Sequence, residues 1–489
     1  MNHRLLTLLF AGLMAMLLIS CGDDDGDPMF ELPEVTAPSG IINLENGATG
    51  QTVTFNVSID SDLSATYQAT GDNVTILNAS GNVDGNTVTI NFDAGTIPGA
   101  ASITLEVTDS ENRSDEAVAV FSIGEDPNVV VVTSNISTDQ TWTSDKTWVL
   151  GGRIAVEDGA TLTIEPGTVI KGEEGTGASA TALLIARGGK LMAEGTAELP
   201  IIFTSIGDQL TPADVAAGNI GSPNLAPDEN GRWGGVLILG RARISASTSP
   251  AQIEGIPTSD QNGLYGGEND ADNSGVIRYV SIRHGGSNIG AGNEINGLTL
   301  AGVGSATVVE NVEIVGNQDD GIEWFGGTVN VTNAVCWNVG DDGMDTDQAW
   351  AGTLDNFAVV TPAGHCFELD GPEGEYEAGH TIRNGSVICY SGETGIIAED
   401  LINVDENSIV NLENIWFTAI QTGQQINRVD AAGVTFTNIR LNVGENEVAN
   451  HVAGGNVPSG VTAGMEPQAN ASAFDWTWAG TSGALDDIK

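Results

Sequence analysis

The sequence predicts an all-β chain: an immunoglobulin-like β-sandwich followed by a right-handed parallel β-helix. Three observations carry this. Short alternating segments fill residues 35–125, an asparagine recurs at coil-length intervals further on, and 64 Gly against 16 Pro punctuate the chain of 489 residues with turns. Acidic residues number 66 against 16 basic ones, a net charge of −50. Such a surface repels phosphate backbones, which excludes nucleic acid as a partner, while it attracts divalent cations.

Residues 1–20 place Arg4 before an apolar run from Leu5 to Ile19, too short to span a bilayer comfortably and therefore read as a secretion signal. Leu18-Ile19-Ser20-Cys21 resembles the lipobox of bacterial lipoproteins, which implies cleavage before Cys21 and lipidation of that residue. The acidic run Gly22-Asp23-Asp24-Asp25-Gly26-Asp27 resembles the surface-export signal of Bacteroidota-type lipoproteins and implies an outer-membrane protein facing the cell exterior; as a bare composition it is a solvated tether over 21–34. In an oxidising compartment Cys366 and Cys389 are the expected bridge among Cys336, Cys366 and Cys389.

Over 35–125, Val53, Phe55, Val57 and Ile59 alternate with polar residues, as do Val88, Ile90, Phe92 and Ile103, Leu105, Val107. About seven such strands fit a sandwich. It resembles the immunoglobulin-like spacers of surface proteins and carries no polar cluster that marks a site.

From 126 to 489 repetition takes over. Asn311, Asn333, Asn356, Asn384, Asn414 and Asn438 each sit inside one short apolar strand, at intervals of 22 to 30 residues. A parallel β-helix stacks equivalent strands about 4.8 Å apart while its turns absorb insertions, so these amides are placed to hydrogen-bond up the axis. Val312, Ala334, Phe357 and Ile415, with Ile314, Cys336, Val359, Val387 and Phe417, are expected to face inward, as is Trp324. Glu313, Val335, Ala358, Ser386 and Trp416 are expected to face outward. Insertions interrupt the stack at about 205–232 and 254–275, and long loops on a regular scaffold are where function concentrates.

Three groups of residues are candidates for chemistry. Asp270, Asp272 and Ser274, with Gly275 and Val276-Ile277, match the first half of a Ca²⁺ loop, but Ser281 replaces the closing Glu, leaving Glu254 or Glu268 to complete it; the alternative is an acidic turn held by side-chain hydrogen bonds. Asp319-Asp320-Gly321 and Asp341-Asp342-Gly343 stand one coil apart, with Glu323, Asp345 and Glu368 extending the column and Asp347 and Asp370 beside it. Each stacked carboxylate pair costs about 3.5 kcal/mol in repulsion at an effective dielectric near 20. Backbone N–H groups, a shared proton or bound Ca²⁺ would offset it, so the column reads as a solvated acidic face, a metal site or a catalytic pair. Trp337, Trp350 and Trp416, together with Tyr376 and Tyr390, are placed to stack on sugar rings unless turns fold back over them.

Asn338-Val339-Gly340-Asp341-Asp342-Gly343 resembles the aspartate motifs of β-helix polysaccharide hydrolases, in which paired carboxylates are acid and base. No His-Gly or Arg-Ile-Lys motif follows, and His365 precedes Cys366. The Ca²⁺-dependent polysaccharide lyases of this fold need a basic residue, for which Arg383 is the candidate unless it pairs with Asp355 or Glu413. Gly231-Arg232-Trp233-Gly234-Gly235-Val236, Asp272 to Tyr279, Asp319 to Trp324 and Glu368 to Gly374 resemble the secreted parallel β-helix lipoproteins of marine and gut bacteria. That resemblance covers 130 to the C terminus and implies fold and location, not an activity. The leading expectation is a surface lipoprotein whose calcium-stabilised β-helix binds glycan or serves adhesion. A polysaccharide lyase or hydrolase using Asp341, Asp342, Asp345 and Arg383 is the alternative. A third reading, an accessory subunit of an outer-membrane nutrient transport protein, rests on the anchor alone. With only four lysines, an anionic-substrate cleft is hard to build without metal.

Overall fold

The computed structural model describes residues 31–289, 294–392 and 394–489. The signal, Cys21 and the acidic run lie outside the described residues. The chain divides into two units between Asp126 and Pro127.

In the first unit, the alternation read from sequence becomes a sandwich of a four-stranded and a five-stranded sheet. Gln51–Ser58 pairs antiparallel with Thr87–Ala94, burying Val53, Phe55 and Val57 against Ile90 and Phe92 while Thr54 and Thr89 face solvent. Ile103, Leu105 and Val107 of Gly99–Asp109 close the core from the other sheet.

The second unit is a parallel β-helix. Its largest sheet begins as two parallel columns, represented by Lys190–Glu194 and Ile201–Ser205, which both pair with the single long strand Gly275–Arg283. That strand turns at Tyr279, whose φ is 51°. Every later coil carries one bent strand instead of two short ones. The bend residue is Asn311, Asn333, Asn356, Asn384, Asn414 or Asn438, all with φ between 54° and 61°. Asparagine tolerates this left-handed conformation better than other non-glycine residues, which is why the repeat is an asparagine. The expected ladder forms: Nδ2 of Asn333 donates to Asn311 at 2.9 Å, Asn356 to Asn333 at 2.7 Å, Asn414 to Asn384 at 3.1 Å and Asn438 to Asn414 at 2.9 Å. It breaks once, where Asn384 donates to Asp355 and Asn356 accepts from the Asn470 backbone.

The residues expected inward are buried, from Val312 and Ile314 to Ile415 and Phe417. Those expected outward do point away from this core, yet they are buried too. Phe474, Trp478, Leu485 and Ile488 of the C-terminal segment cover Val335, Ala358 and Trp416, and the Ala479 backbone N–H donates to Glu313 at 2.8 Å. The expected Cys366–Cys389 bridge is absent. Both thiols are fully buried and in contact but unbonded, and Cys336 is a free core thiol as well.

A second, eight-stranded sheet runs along another side, through Val236–Leu239, Leu298–Ala301, Ile322–Phe325, Met344–Asp347, Phe367–Leu369 and Asn403–Val404. Its parallel register aligns one outward position per coil: Leu184, Leu237, Thr299, Glu323, Asp345, Glu368 and Asn403. The column is apolar in the early coils, where Ile256 and Tyr265 of the second insertion, with Ile244 and Ile253 just before it, cover it, and acidic in the later ones.

Candidate functional site

The site follows from that register. Each coil enters the eight-stranded sheet through a turn, and the Asp-Asp-Gly strings occupy two consecutive turns, so their carboxylates stack. Oxygens of Asp319, Asp320 and Asp341 lie within 4.8 Å of one another, and the two strings are neighbours as their 22-residue spacing predicts. Part of the repulsion is offset by the backbone. Asp320 Oδ1 accepts the Asp342 N–H at 2.9 Å, and Asp342 Oδ1 accepts the His365 N–H, so the second Asp of each string ties its coil to the next.

The third turn contributes His365. Its Nδ1 lies 3.1 Å from Asp342 Oδ1, and Asp342, His365 and Glu368 form a second group within 4.8 Å. The bond from Asp342 raises His365 to about 9, so the imidazole is charged at neutral pH. Gly364 makes this approach possible, since a Cβ there would collide with the Asp341 and Asp342 carboxylates. The Gly364-His365 pair is the feature that motif reading passed over, because the glycine precedes the histidine and does not follow it. Burial, followed by a hydrogen bond with Asp342, pushes Glu368 up to about 8. Burial and the neighbouring Glu254 and Asp341 push Asp319 up to about 7, and burial raises Asp341 as well. Asp341 is exposed while Asp319, His365 and Glu368 are half-buried, so a ligand can reach the group from one side. Asp347 is raised to about 7 by burial and Glu373, and Asp370 is raised by burial and Asp405.

Glu323 and Asp345 lie deeper, as register partners on adjacent strands, and meet Asp320 in a third group within 4.8 Å. All three carboxyls are held well above the usual range, first by burial and then by one another.

Other expected residues are not brought to this site. Asp270 is held by Arg243, which bonds both of its carboxylate oxygens, and Asp272 Oδ2 accepts the Arg241 N–H at 2.9 Å. Asn273 Oδ1 accepts the Gly275 N–H, the Ser274 N–H donates to Thr307, and Ser281 donates to Glu313. Asp270 and Asp272 thus give carboxylate oxygens to protein donors, as in an acidic turn, while the Ser274 hydroxyl is buried without a partner among the described residues and Glu254 faces Asp319. Arg383 belongs to the large sheet, pairs with Asp355 at 2.9 Å and does not join the acidic column.

The aromatic platform is also corrected. Trp350 is core, stacked on Trp324 with centroids 4.6 Å apart, and its Nε1 donates to the Val329 carbonyl. Trp416 donates to the Gly464 carbonyl, and Trp337 packs edge-on against Trp478. All three are under 10% exposed, because chain folded back over them offered more apolar contact than water could. Tyr376 is covered by the Arg243 guanidinium, 4.6 Å from its ring centroid. Tyr390 and an edge of Trp337 line a cleft of about 550 Å³ beside the C-terminal segment.

Among solved structures, a Yersinia enterocolitica family 28 exopolygalacturonase is 12% identical, with 84% of this chain and 95% of that one covered at a TM-score of 0.22. The pectate lyase PelI from Erwinia chrysanthemi, solved with tetragalacturonic acid, is 7% identical over 88% and 100% at a TM-score of 0.21. A C. elegans MSP family member, WR4, is 13% identical and covers 17% of this chain and 92% of its own, at a TM-score of 0.14. No curated protein matches the chain. The sequence profile of the pectate-lyase like beta helix domain matches residues 134–483, well over half of the chain, and the chain belongs to that family.

Proposed function

We propose that the protein acts on polysaccharide as a glycoside hydrolase, at the mouth of the acidic column. The observation that carries this reading is the meeting, at three consecutive turns, of two groups of residues, Asp319 with Asp341 and Asp342 with His365 and Glu368, adjoined through the neighbouring residues Asp341 and Asp342. Glycoside hydrolysis needs a carboxylic acid to protonate the leaving oxygen and a carboxylate to activate water. Glu368 remains protonated at neutral pH and is the general acid of this proposal. Asp341, the most exposed of the group, is the base. Asp342 receives the backbone and ring N–H of His365 and acts as a positioning residue. Hydrolysis is favoured over elimination because Arg383, the candidate lyase base, stands in another sheet with Asp355. Glycan stacking without turnover is the weaker reading, because Trp337, Trp350 and Trp416 are covered.

The test is a screen of neutral and uronate-containing polysaccharides, assayed for new reducing ends and for unsaturated uronate, with and without EDTA. Reducing ends made by the wild type and lost by at least tenfold in Glu368→Gln and Asp341→Asn are expected. Unsaturated product would mean elimination, and tight binding without product would restore the glycan-binding reading.

A second reading concerns location. Lipidation at Cys21 and display outside the outer membrane are supported by the resemblance of Leu18 to Cys21 and of the acidic run to lipoprotein signals. Cys21→Ser is expected to move the protein from the membrane fraction to the soluble fraction, and protease added to intact cells is expected to degrade the wild type. An unchanged membrane fraction in the variant would sink the anchor. No feature of the described residues argues for a transport partner, and none is proposed.

A further inference from the structure

The cleft beside the C-terminal segment encloses about 550 Å³, within the roughly 300–1,000 Å³ of ordinary small-ligand sites. It lies on the large sheet, not on the sheet that carries the acidic column, and no residue of that column lines it. Trp337, Val360 and Ile388, register partners at the ends of three consecutive strands, supply its apolar side. Tyr390 follows the last of these strands, and Trp478, Asp486 and Asp487 come from the C-terminal segment.

Tyr390 is half-buried, and Trp337 and Trp478, packed edge-on with centroids 5.7 Å apart, add ring edges to the same cleft. Aromatic surface bordered by a few polar groups suits a sugar, whose C–H faces pack on rings while its hydroxyls find hydrogen-bond partners. Charge then selects among sugars. Asp486 and Asp487 are exposed at the cleft, and no Lys, Arg or His lines it among the described residues. Lys489, in the same segment, is engaged by the Gly480 carbonyl and Asp475. A uronate would meet two carboxylates and no cation, whereas an uncharged sugar finds acceptors for its hydroxyls. Trp337 stands four residues before Asp341, and Val360 five before His365. Those segments span at most about 14 and 18 Å, which puts the cleft within one oligosaccharide's length of the acidic mouth.

We propose that this cleft is a secondary saccharide-binding site, which takes an uncharged stretch of polysaccharide through Tyr390 and the Asp486 and Asp487 carboxylates and discriminates against uronate. It holds the polymer beside the acidic mouth and takes no part in cleavage. Its role in supplying that mouth rests on the hydrolase reading, whereas the binding itself does not.

The full chain, carrying Glu368→Gln so that no polymer is cut, is titrated by calorimetry with hexamers of β-linked glucose, xylose, mannose and galactose and with hexagalacturonate. At least one neutral hexamer is expected to bind, about fivefold or more tighter than hexagalacturonate. Adding Tyr390→Ala is expected to weaken that binding about fivefold, the worth of one ring contact. Ser482→Trp, which fills the cleft from an exposed position, is expected to weaken it at least as much. Should Tyr390→Ala fail to fold, Ser482→Trp decides. Three outcomes would overturn the proposal: no binding of any neutral hexamer, hexagalacturonate bound as tightly as the best of them, or affinity retained in full when the cleft is filled. A chain that binds the neutral hexamer in this cleft, but whose wild type cleaves no polymer, would keep the site and remove the hydrolase reading alone.

Discussion

Trp416 shows how far a residue's role depends on what lies above it. Its strand position points it away from the helix core, yet it is 3% exposed and bonded to Gly464. Trp416→Ala should therefore destabilise the chain by about 3–5 kcal/mol, the cost of removing a buried aromatic, and leave glycan affinity per folded molecule unchanged. Denaturant melts beside a binding assay check this, and a variant with normal stability and lost binding would reinstate the sugar platform. Gly364 makes a parallel case from the smallest side chain. Gly364→Ala should lower activity, because the added methyl meets the Asp341 and Asp342 carboxylates; an assay of the purified variant beside the wild type checks this.

At the scale of one element, the bent strand depends on its asparagine twice, through the left-handed φ and through the ladder. Asn333 gives one amide bond and receives another, with a φ of 60°. Asn333→Gly, which keeps the backbone conformation but loses both bonds, should cost about 1–2 kcal/mol, and Asn333→Ala should cost more because it adds backbone strain. Asn384 is a useful contrast, since its bond goes to Asp355 at the break in the ladder. Urea melts of the two variants check the order. Equal stability for Asn333→Gly and Asn333→Ala would show that the left-handed bend contributes nothing.

For the whole molecule, the acidic column predicts the pH dependence of stability without metal. Asp319 and Asp347 titrate near 7 and Glu368 near 8 in the folded chain, against about 4 when unfolded. The folded state binds these protons more tightly, so stability falls as pH rises from about 4 through 8. His365, raised to about 9 by Asp342, acts in the same direction, because its ion pair is complete below its unfolded value near 6.5 and is lost as pH passes 9. Asp270, held low by Arg243, acts oppositely, but below this window. Tm, followed in EDTA, should decline between pH 5 and 9. A Tm that rises over this range would contradict the placement of these carboxyls.

Much of this architecture was legible in the sequence because a β-helix converts linear periodicity into vertical neighbours. The recurrence of Asn311 through Asn438 was enough to establish the coils, and the 22-residue spacing of Asp319 and Asp341 was enough to bring those carboxylates together. Repetition carries no information about what lies across the outer faces. Only the tertiary structure decided that the C-terminal segment buries Trp337 and Trp416, that Arg243 occupies Asp270, and that Arg383 stands on a different sheet from the acids. It also brought Asn296 and His365, which stand at the turn position that Asp320 and Asp342 occupy in their own coils, against carboxylates from neighbouring coils. Hydrogen-bond register is local and periodic, whereas which segment covers a surface depends on contacts outside the repeat, between residues as far apart as Trp337 and Trp478.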